Sequence, residues 1–111
     1  MPSRLLDADL TAAVLAHEAL PADEVVHGSP TVALRTLDTV SGAEVGIWEM
    51  TAGTARDTEV DEVFVVLAGR GSVMFEDGER IDLEPGVAVR LTAGERTVWT
   101  VTERLRKVWV A

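Results

Sequence analysis

Two glycine-bounded blocks of β-forming residues, 53–71 and 86–101, most constrain the fold of this chain. In the first block, a polar loop rich in carboxylates runs into an apolar segment, Val63 to Leu67, which is followed by Gly69 and Gly71. Glycine tolerates the positive φ of tight turns, so this pair predicts a turn where the strand ends. The second block holds two β-branched runs separated by an Ala-Gly turn. Together the blocks predict a small antiparallel barrel.

Further short strands are expected from residue 31 onward, each bounded by turn-forming residues. The expected strands are Val32–Leu37, Glu44–Thr51, Glu62–Leu67, Ser72–Phe75, Arg80–Leu83, Val87–Leu91, Thr97–Thr102 and Lys107–Val110. Asp77-Gly78 is the strongest hairpin signal, because Asp-Gly readily adopts the primed turn that matches strand twist. About nine short strands at this spacing are typical of an all-β sandwich or barrel.

The segment from Val63 to Leu67 has apolar residues at both parities, which predicts a strand buried on both faces. One face would line the barrel. The other face needs a cover, supplied by the edge of a second sheet, by the N-terminal arm or by a partner subunit. A homodimer formed by sheet packing would bury this face and hide the edge strands, so we expect a homodimer.

Residues 1–30 are expected to form an arm, and residues 31–111 the barrel domain. The apolar spacing from Asp9 to Leu20 fits one short amphipathic helix, and it equally fits an extended arm lying along the sheet. We therefore expect an irregular or partly helical arm. His17 and His27 lie in this arm and are expected at the surface or in packing, because a metal site would need both to meet carboxylates.

Composition excludes several classes of partner and site. A chain of 111 residues suits a single domain. Its 19 acidic and 10 basic residues give a net charge of −9, which disfavours binding to nucleic acid or to an anionic membrane. The absence of cysteine rules out disulfides and thiolate ligands. Because no long apolar run or signal-peptide core is present, we expect a cytoplasmic protein that does not enter a membrane.

The two blocks resemble the two sequence motifs of the cupin superfamily, whose members are jelly-roll β-barrels. Glu62, six residues and Gly69 match the second half of the first cupin motif, and Gly53 matches its opening glycine. Gly86 and Gly94 fall on the glycine positions of the second motif. The resemblance implies an all-β fold, a single-domain cupin jelly-roll barrel.

A narrower resemblance lies outside these motifs. Gly46-Ile47-Trp48-Glu49, Trp99 and the terminal Arg106-Lys107-Val108-Trp109-Val110 look like the ureidoglycine-aminohydrolase-like branch of cupins. Many single-domain members of that branch have no assigned activity. The resemblance therefore implies a fold without naming a reaction.

Cupin enzymes typically hold a divalent metal with two histidines and the glutamate of the first motif and with the histidine of the second. Only Glu62 stands at a matching position here. The first-motif histidines would fall within residues 55–58, none of which is histidine, and Thr97 replaces the second-motif histidine. One carboxylate is too few ligands for a transition metal. The ligand set thus predicts no catalytic transition metal, and we expect no cofactor.

Glu62 is the best candidate for a catalytic residue. In the cupin orientation it points into the barrel, where partial desolvation of its carboxylate would suit a general acid or base. The alternative is a residue of the barrel mouth that bonds a loop N–H or an arginine such as Arg56, Arg90 or Arg96.

The expected ligand pocket comprises Glu62, Thr97, Trp99, Trp48 and Glu49. Thr97 and Trp99 share one face of their strand, so Trp99 either packs in the core or walls a pocket for an apolar or sugar-like ligand. Trp48 and Glu49 point to opposite faces, and the sequence does not say which one faces the interior. If Glu49 does, it could pair with Glu62, and the two carboxylates would split their pKa values.

Two charged clusters are expected at the surface. The acids at 57, 59, 61 and 62 could attract calcium, but the ligand spacing of a calcium loop is absent, so a solvated acidic loop is favoured. The bases at 104, 106 and 107 are expected in salt bridges at the barrel rim.

The sequence favours a metal-independent module that binds a small molecule at the barrel mouth. An enzyme of the isomerase, lyase or amidohydrolase type, with Glu62 as general acid or base, is the alternative. A structural or regulatory protein that uses its two-sided apolar sheet is a third hypothesis.

Overall fold

The computed structural model describes residues 3–111, and every regular element within them is a β-strand. The strands in chain order are β1 (Glu18–Ala19), β2 (Val25–His27), β3 (Thr31–Val40), β4 (Ala43–Met50), β5 (Gly53–Thr58), β6 (Glu62–Phe75), β7 (Arg80–Leu83), β8 (Ala88–Leu91) and β9 (Arg96–Val110). The all-β prediction is confirmed. None of the described residues form a helix that is long and apolar enough to cross a membrane.

The two longest strands, β6 and β9, hold the sheet together. They pair antiparallel with each other along most of their lengths. The first part of β9 also pairs with β5 and its last part with β4, while β6 pairs with β7 and β8. Each long strand thus pairs with two different strands along one edge and with the other long strand along the opposite edge, and the sheet has the curled, barrel-like form of a jelly roll.

One expected turn is a bulge instead. The segments Glu62–Leu67 and Ser72–Phe75 were expected as separate strands, but both belong to β6. Its register with β9 shifts repeatedly between Val66 and Gly71, and Gly69 within this stretch has φ +91°. A bulge adds residues and bends a strand without ending its pairing, which explains why the glycines do not terminate β6.

The N-terminal arm contains no helix within the described residues, so the partly helical expectation is wrong. The Asp9 carboxylate accepts hydrogen bonds from the backbone N–H and the hydroxyl of Thr11, which closes a local turn in place of a helix start. The chain then runs extended to β1, which pairs with β3. Before β1 the arm contacts the outer face of the sheet, where Arg35 Nη2 lies 2.7 Å from Asp7 Oδ2.

The Val63–Leu67 segment was expected to be buried on both faces, but only its inner face is fully buried. Phe64 and Val66 point into the core and are 0% and 1% exposed. Val63 on the opposite face is 46% exposed, beside the equally exposed Val110 of β9. The outward face of β6 and β9 is therefore open to solvent around Val63 and Val110, while Arg106 on the same face of β9 is buried.

We predict that replacing Gly69 with Ala destabilises the fold far more than replacing Gly78 with Ala. Both glycines have φ +91°, a conformation that costs a residue with a Cβ roughly 1–2 kcal/mol. A Cβ at Gly69 would also overlap the carbonyl of Arg104, whereas a Cβ at Gly78 meets nothing within 4 Å. Urea unfolding of the two variants measures the difference, and equal losses of stability would contradict the close approach at the bulge.

Candidate functional site

An open cavity of about 540 Å³ lies on the concave face of the barrel. Its apolar wall includes Val32, Leu34, Trp48, Met50, Ala55, Trp99 and Trp109, and its polar lining comprises Glu24, Glu44, Arg56, Asp57, Thr58, Glu59, Glu62 and Lys107. Clefts with aromatic walls and a few convergent polar groups are the usual form of small-molecule sites. Three residues of the expected ligand pocket, Trp48, Trp99 and Glu62, line this cavity. Their binding of a ligand stays a prediction.

The most enclosed charge in the cavity is the ammonium group of Lys107. Its Nζ lies 2.6 Å from Glu62 Oε2; the Lys107 side chain is buried and that of Glu62 is 12% exposed. The same nitrogen lies 4.3 Å from the ring centroid of Phe64 and 4.8 Å from those of Trp48 and Trp99. We call Glu62 and these three aromatic residues the lysine cage.

Strand pairing assembles the lysine cage. Lys107 of β9 lies directly across from Trp48 of β4, and the residues of β6 flank it on the other edge. Opposed residues of paired strands share a face, so Trp48 and Lys107 both point inward. Cation–π contacts contribute about 0.5–1 kcal/mol at exposed sites and about 2 kcal/mol or more where the cation is desolvated, which is the case here.

The expectations for Glu62 and for the basic cluster need correction. Glu62 bonds a lysine, and none of the three arginines named as candidate partners contacts it. Lys107 and Arg106 are 5% and 6% exposed and lie on opposite faces of β9, so they are not rim residues. The alternation from Trp109 back to Lys107 was the signal that places this lysine on the inner face.

Glu59 is the second buried carboxylate of the barrel mouth. Its Oε2 accepts hydrogen bonds from Thr97 Oγ1 at 2.5 Å and from Trp99 Nε1 at 3.0 Å, and the residue is 7% exposed. Glu59 therefore does not belong to a solvated loop. Thr97, expected in the pocket, does not line the cavity because it is buried and its hydroxyl serves Glu59.

Asp57 lines the cavity next to Glu59 and has a perturbed acidity. Partial desolvation raises the pKa of Asp57, and the negative charge of Glu59 raises it further, to about 6. A carboxyl group with this pKa exchanges a proton near neutral pH, as a general acid or base does. Sequence reasoning assigned Asp57 only to the acidic loop, because its neighbour Glu59 was not expected to be buried.

Glu49 faces away from the cavity, so Trp48 is the inward residue of the pair. Its Oε1 accepts hydrogen bonds from Arg106 Nε at 3.0 Å and Nη2 at 2.8 Å, and its Oε2 lies 2.6 Å from His17 Nε2. Burial would raise the pKa of Glu49, but the bonds from His17 and Arg106 outweigh it and hold the pKa below its ordinary value. Glu49 and Glu62 lie on opposite faces of the sheet and do not form a pair.

The residues of the cavity do not fit the metal centre of cupin enzymes. His17 is bound to Glu49 on the outer face, and His27 lies exposed on β2. Among residues 3–111, no three His, Asp or Glu side chains group together as a metal site would require. The Glu62 carboxylate, which occupies the metal-ligand position of the first motif, holds an ammonium group instead.

A family model described as the EutQ-like cupin domain matches residues 36–109. A solved structure of a putative ethanolamine utilization protein Q from Salmonella typhimurium has a TM-score of 0.65 and 18% identity, covering 89% of this chain and 97% of that one. The Clostridium difficile EutQ protein gives 0.63 and 21%, covering 73% and 61%. A Pseudomonas syringae protein of unknown function from the DUF861 family gives 0.75 and 22%, covering 89% and 44%.

These likenesses show the cupin fold. The match spans less than two thirds of the Clostridium and Pseudomonas proteins, and identity is below 25% in all three. No curated protein matches the chain. The narrower ureidoglycine-aminohydrolase-like branch stays a prediction.

We predict that Glu49→Gln costs about 3–5 kcal/mol of unfolding free energy, because it leaves the buried Arg106 guanidinium without its carboxylate. The control is Glu84→Gln, which breaks an ion pair with Arg70 whose two side chains are both 58% exposed. Exposed pairs contribute about 0–1 kcal/mol. Denaturant unfolding at pH 7 compares the two, and similar losses would contradict the buried role of Glu49.

Asp57 should make the stability of the wild-type protein depend on pH. Its pKa rises from 3.8 in the unfolded chain to about 6 in the folded one, so the folded state binds more protons between these values. Stability should therefore fall as pH rises from about 4 to 6. Asp57→Asn removes this fall and should gain stability relative to wild type as pH increases.

The matched control for this titration is Asp38→Asn. Asp38 accepts the same hydrogen bond from the next residue's N–H, at 2.8 Å, and is exposed like Asp57, but it does not line the cavity. Urea midpoints between pH 4 and 7.5 measure all three proteins. Parallel pH curves for wild type and Asp57→Asn would show that Asp57 is not perturbed.

Proposed function

We propose that this chain, which belongs to the EutQ-like cupin domain family, is a metal-independent module that binds a small molecule in the barrel cavity. The observation that carries the proposal is the cavity of about 540 Å³ walled by Trp48 and Trp99. Its polar lining includes the Lys107–Glu62 pair, which offers a hydrogen-bond donor and an acceptor side by side. Pockets of this size accept a molecule of metabolite dimensions.

The charges of the lining favour a neutral polar ligand. Five carboxyl groups line the cavity, from Glu24, Glu44, Asp57, Glu59 and Glu62, against the two cations of Arg56 and Lys107. An anionic ligand would meet repulsion from this excess. Sugars and ureides combine hydroxyl, carbonyl or N–H groups with a flat or apolar face that can stack on tryptophan. We therefore propose a ligand of the sugar or ureide class over a small acid.

Trp109 supports the same proposal. Its ring lines the cavity, and its Nε1–H is buried without an acceptor among residues 3–111. A buried donor that lacks an acceptor costs about 1–3 kcal/mol. The ring itself adds a third tryptophan to the wall of the cavity, beside Trp48 and Trp99.

Catalysis is the second candidate function, and Asp57 favours it. Glu62 is committed to Lys107 and is a weaker candidate for proton transfer than sequence reasoning held. The carboxyl group of Asp57, with its pKa near 6, is better suited to exchange a proton with a bound molecule. An isomerase, lyase or amidohydrolase, including one of the ureidoglycine-aminohydrolase type, would use this residue.

We also propose a homodimer formed through the outward face of β6 and β9. Val63 and Val110 lie opposite each other on this face and are 46% and 44% exposed. Their neighbours Val65 and Val108 are partly buried on the same face. A second copy of the chain that packs here would cover this apolar strip.

A melting screen against sugars, ureides and small acids tests the binding proposal. A compound at 100 times its dissociation constant stabilises the protein by about 2.7 kcal/mol. We expect a neutral compound to raise the melting temperature of wild type and of Glu103→Gln, an exposed control. The shift should disappear in Glu62→Gln, measured relative to that variant's own melting temperature.

Two outcomes would contradict the proposal. If no compound shifts the melting temperature and another protein co-purifies with the chain, a structural or regulatory role replaces it. If the protein purified without an affinity tag carries stoichiometric manganese, iron, nickel or zinc, the site depends on a metal.

A further inference from the structure

The Lys107 side chain is enclosed like a bound ligand. Its ammonium group meets one carboxylate, from Glu62, and the rings of Trp48, Phe64 and Trp99 within 4.8 Å. The side chain is 6% exposed. Aromatic rings around a carboxylate form the type of site by which proteins bind organic ammonium ions, since the ring faces and the carboxylate all attract positive charge.

The same contacts define which chemistry the lysine supplies. The Glu62 carboxylate at 2.6 Å and the three ring faces all attract the positive charge of the ammonium group. The group therefore acts as a fixed cation. It is bound to Glu62, the one carboxylate that stands at a metal-ligand position of the cupin motifs. The ammonium ion of Lys107 therefore takes the place that a divalent metal ion has in cupin enzymes.

We propose that Lys107 is the resident cation of the barrel cavity, and that the lysine cage is a binding site for a primary alkylammonium group. This inference goes beyond the proposed function, because it concerns the cation itself and holds whichever small molecule enters the cavity. Lys107 also lines the cavity. Its ammonium group can donate a hydrogen bond to an oxygen of a bound molecule, an atom that a metal ion in this place would coordinate.

If the lysine side chain is removed, the atoms that are lost define the ion that fits the empty cage. Lys107→Ala deletes Cγ, Cδ, Cε and Nζ, which together equal n-propylammonium. We expect this ion to bind the variant and to raise its melting temperature by about 4–6 °C at ten times its dissociation constant. Wild type should shift by less than about 1 °C, because its own ammonium fills the cage.

Three matched controls test whether binding depends on the charge of the alkylammonium ion and on the carboxylate of Glu62. n-Propanol has the same carbon chain without the charge, and it should shift Lys107→Ala much less than n-propylammonium does. Lys107→Met keeps the volume of the stem, so n-propylammonium should not shift it. Lys107→Ala combined with Glu62→Gln lacks the carboxylate, and its affinity for n-propylammonium should drop at least tenfold.

A second measurement applies if Lys107→Ala does not fold. Lys107→Met leaves the Glu62 carboxylate buried without a cation, and adding Glu62→Gln removes that charge. The double variant should therefore melt at a higher temperature than Lys107→Met alone.

The inference is overturned by any of three results. These are an equal shift from n-propanol and n-propylammonium, a double variant no more stable than Lys107→Met, and a divalent metal that binds wild type stoichiometrically and is lost in Glu62→Gln. Failure of the small-molecule screen leaves all three measurements in place, so it does not decide this inference.

Discussion

The barrel has to accommodate two consecutive buried cations on β9, Arg106 and Lys107. Successive residues of a strand point to opposite faces, so these cations project into two different environments. A buried charge is tolerated only where a partner carboxylate and hydrogen bonds replace its water. Glu49 on the outer face and Glu62 on the inner face supply those carboxylates. Each face of the sheet carries the groups that shield its own ion pair from water.

The two pairs are covered by different means, which suit the two side chains. On the outer face, the planar guanidinium of Arg106 donates two hydrogen bonds to Glu49 and a third to the carbonyl of Leu10, so the pair also fastens the arm. On the inner face, the compact ammonium of Lys107 fits between ring faces. The outer pair thus organises structure, while the inner pair leaves a charged group in contact with the cavity.

The fold was largely predictable from sequence, whereas the site was predictable only in part. Alternation and turn residues gave the all-β class, because both signals are local. The continuity of β6 through Gly69 was missed, since a bulge and a turn use the same residue type. Trp99 was placed inward because it shares a strand face with Thr97, whereas the choice between Trp48 and Glu49 stayed open because alternation alone does not say which face is the inner one. Lys107 was missed because a basic residue beside two arginines resembles a surface cluster until pairing with β4 puts it opposite Trp48.

Three carboxylates at the cavity now have distinct roles that their residue type alone does not reveal. Glu62 neutralises a cation, and Glu59 is held by two neutral donors, Thr97 and Trp99, that keep its oxygen in place. Among residues 3–111, Asp57 has no ion-pair partner, and partial desolvation and the negative charge of Glu59 raise its pKa. If the cavity performs chemistry, the oriented cation and the exchangeable proton lie on different residues, Lys107 and Asp57, along the wall of one cleft.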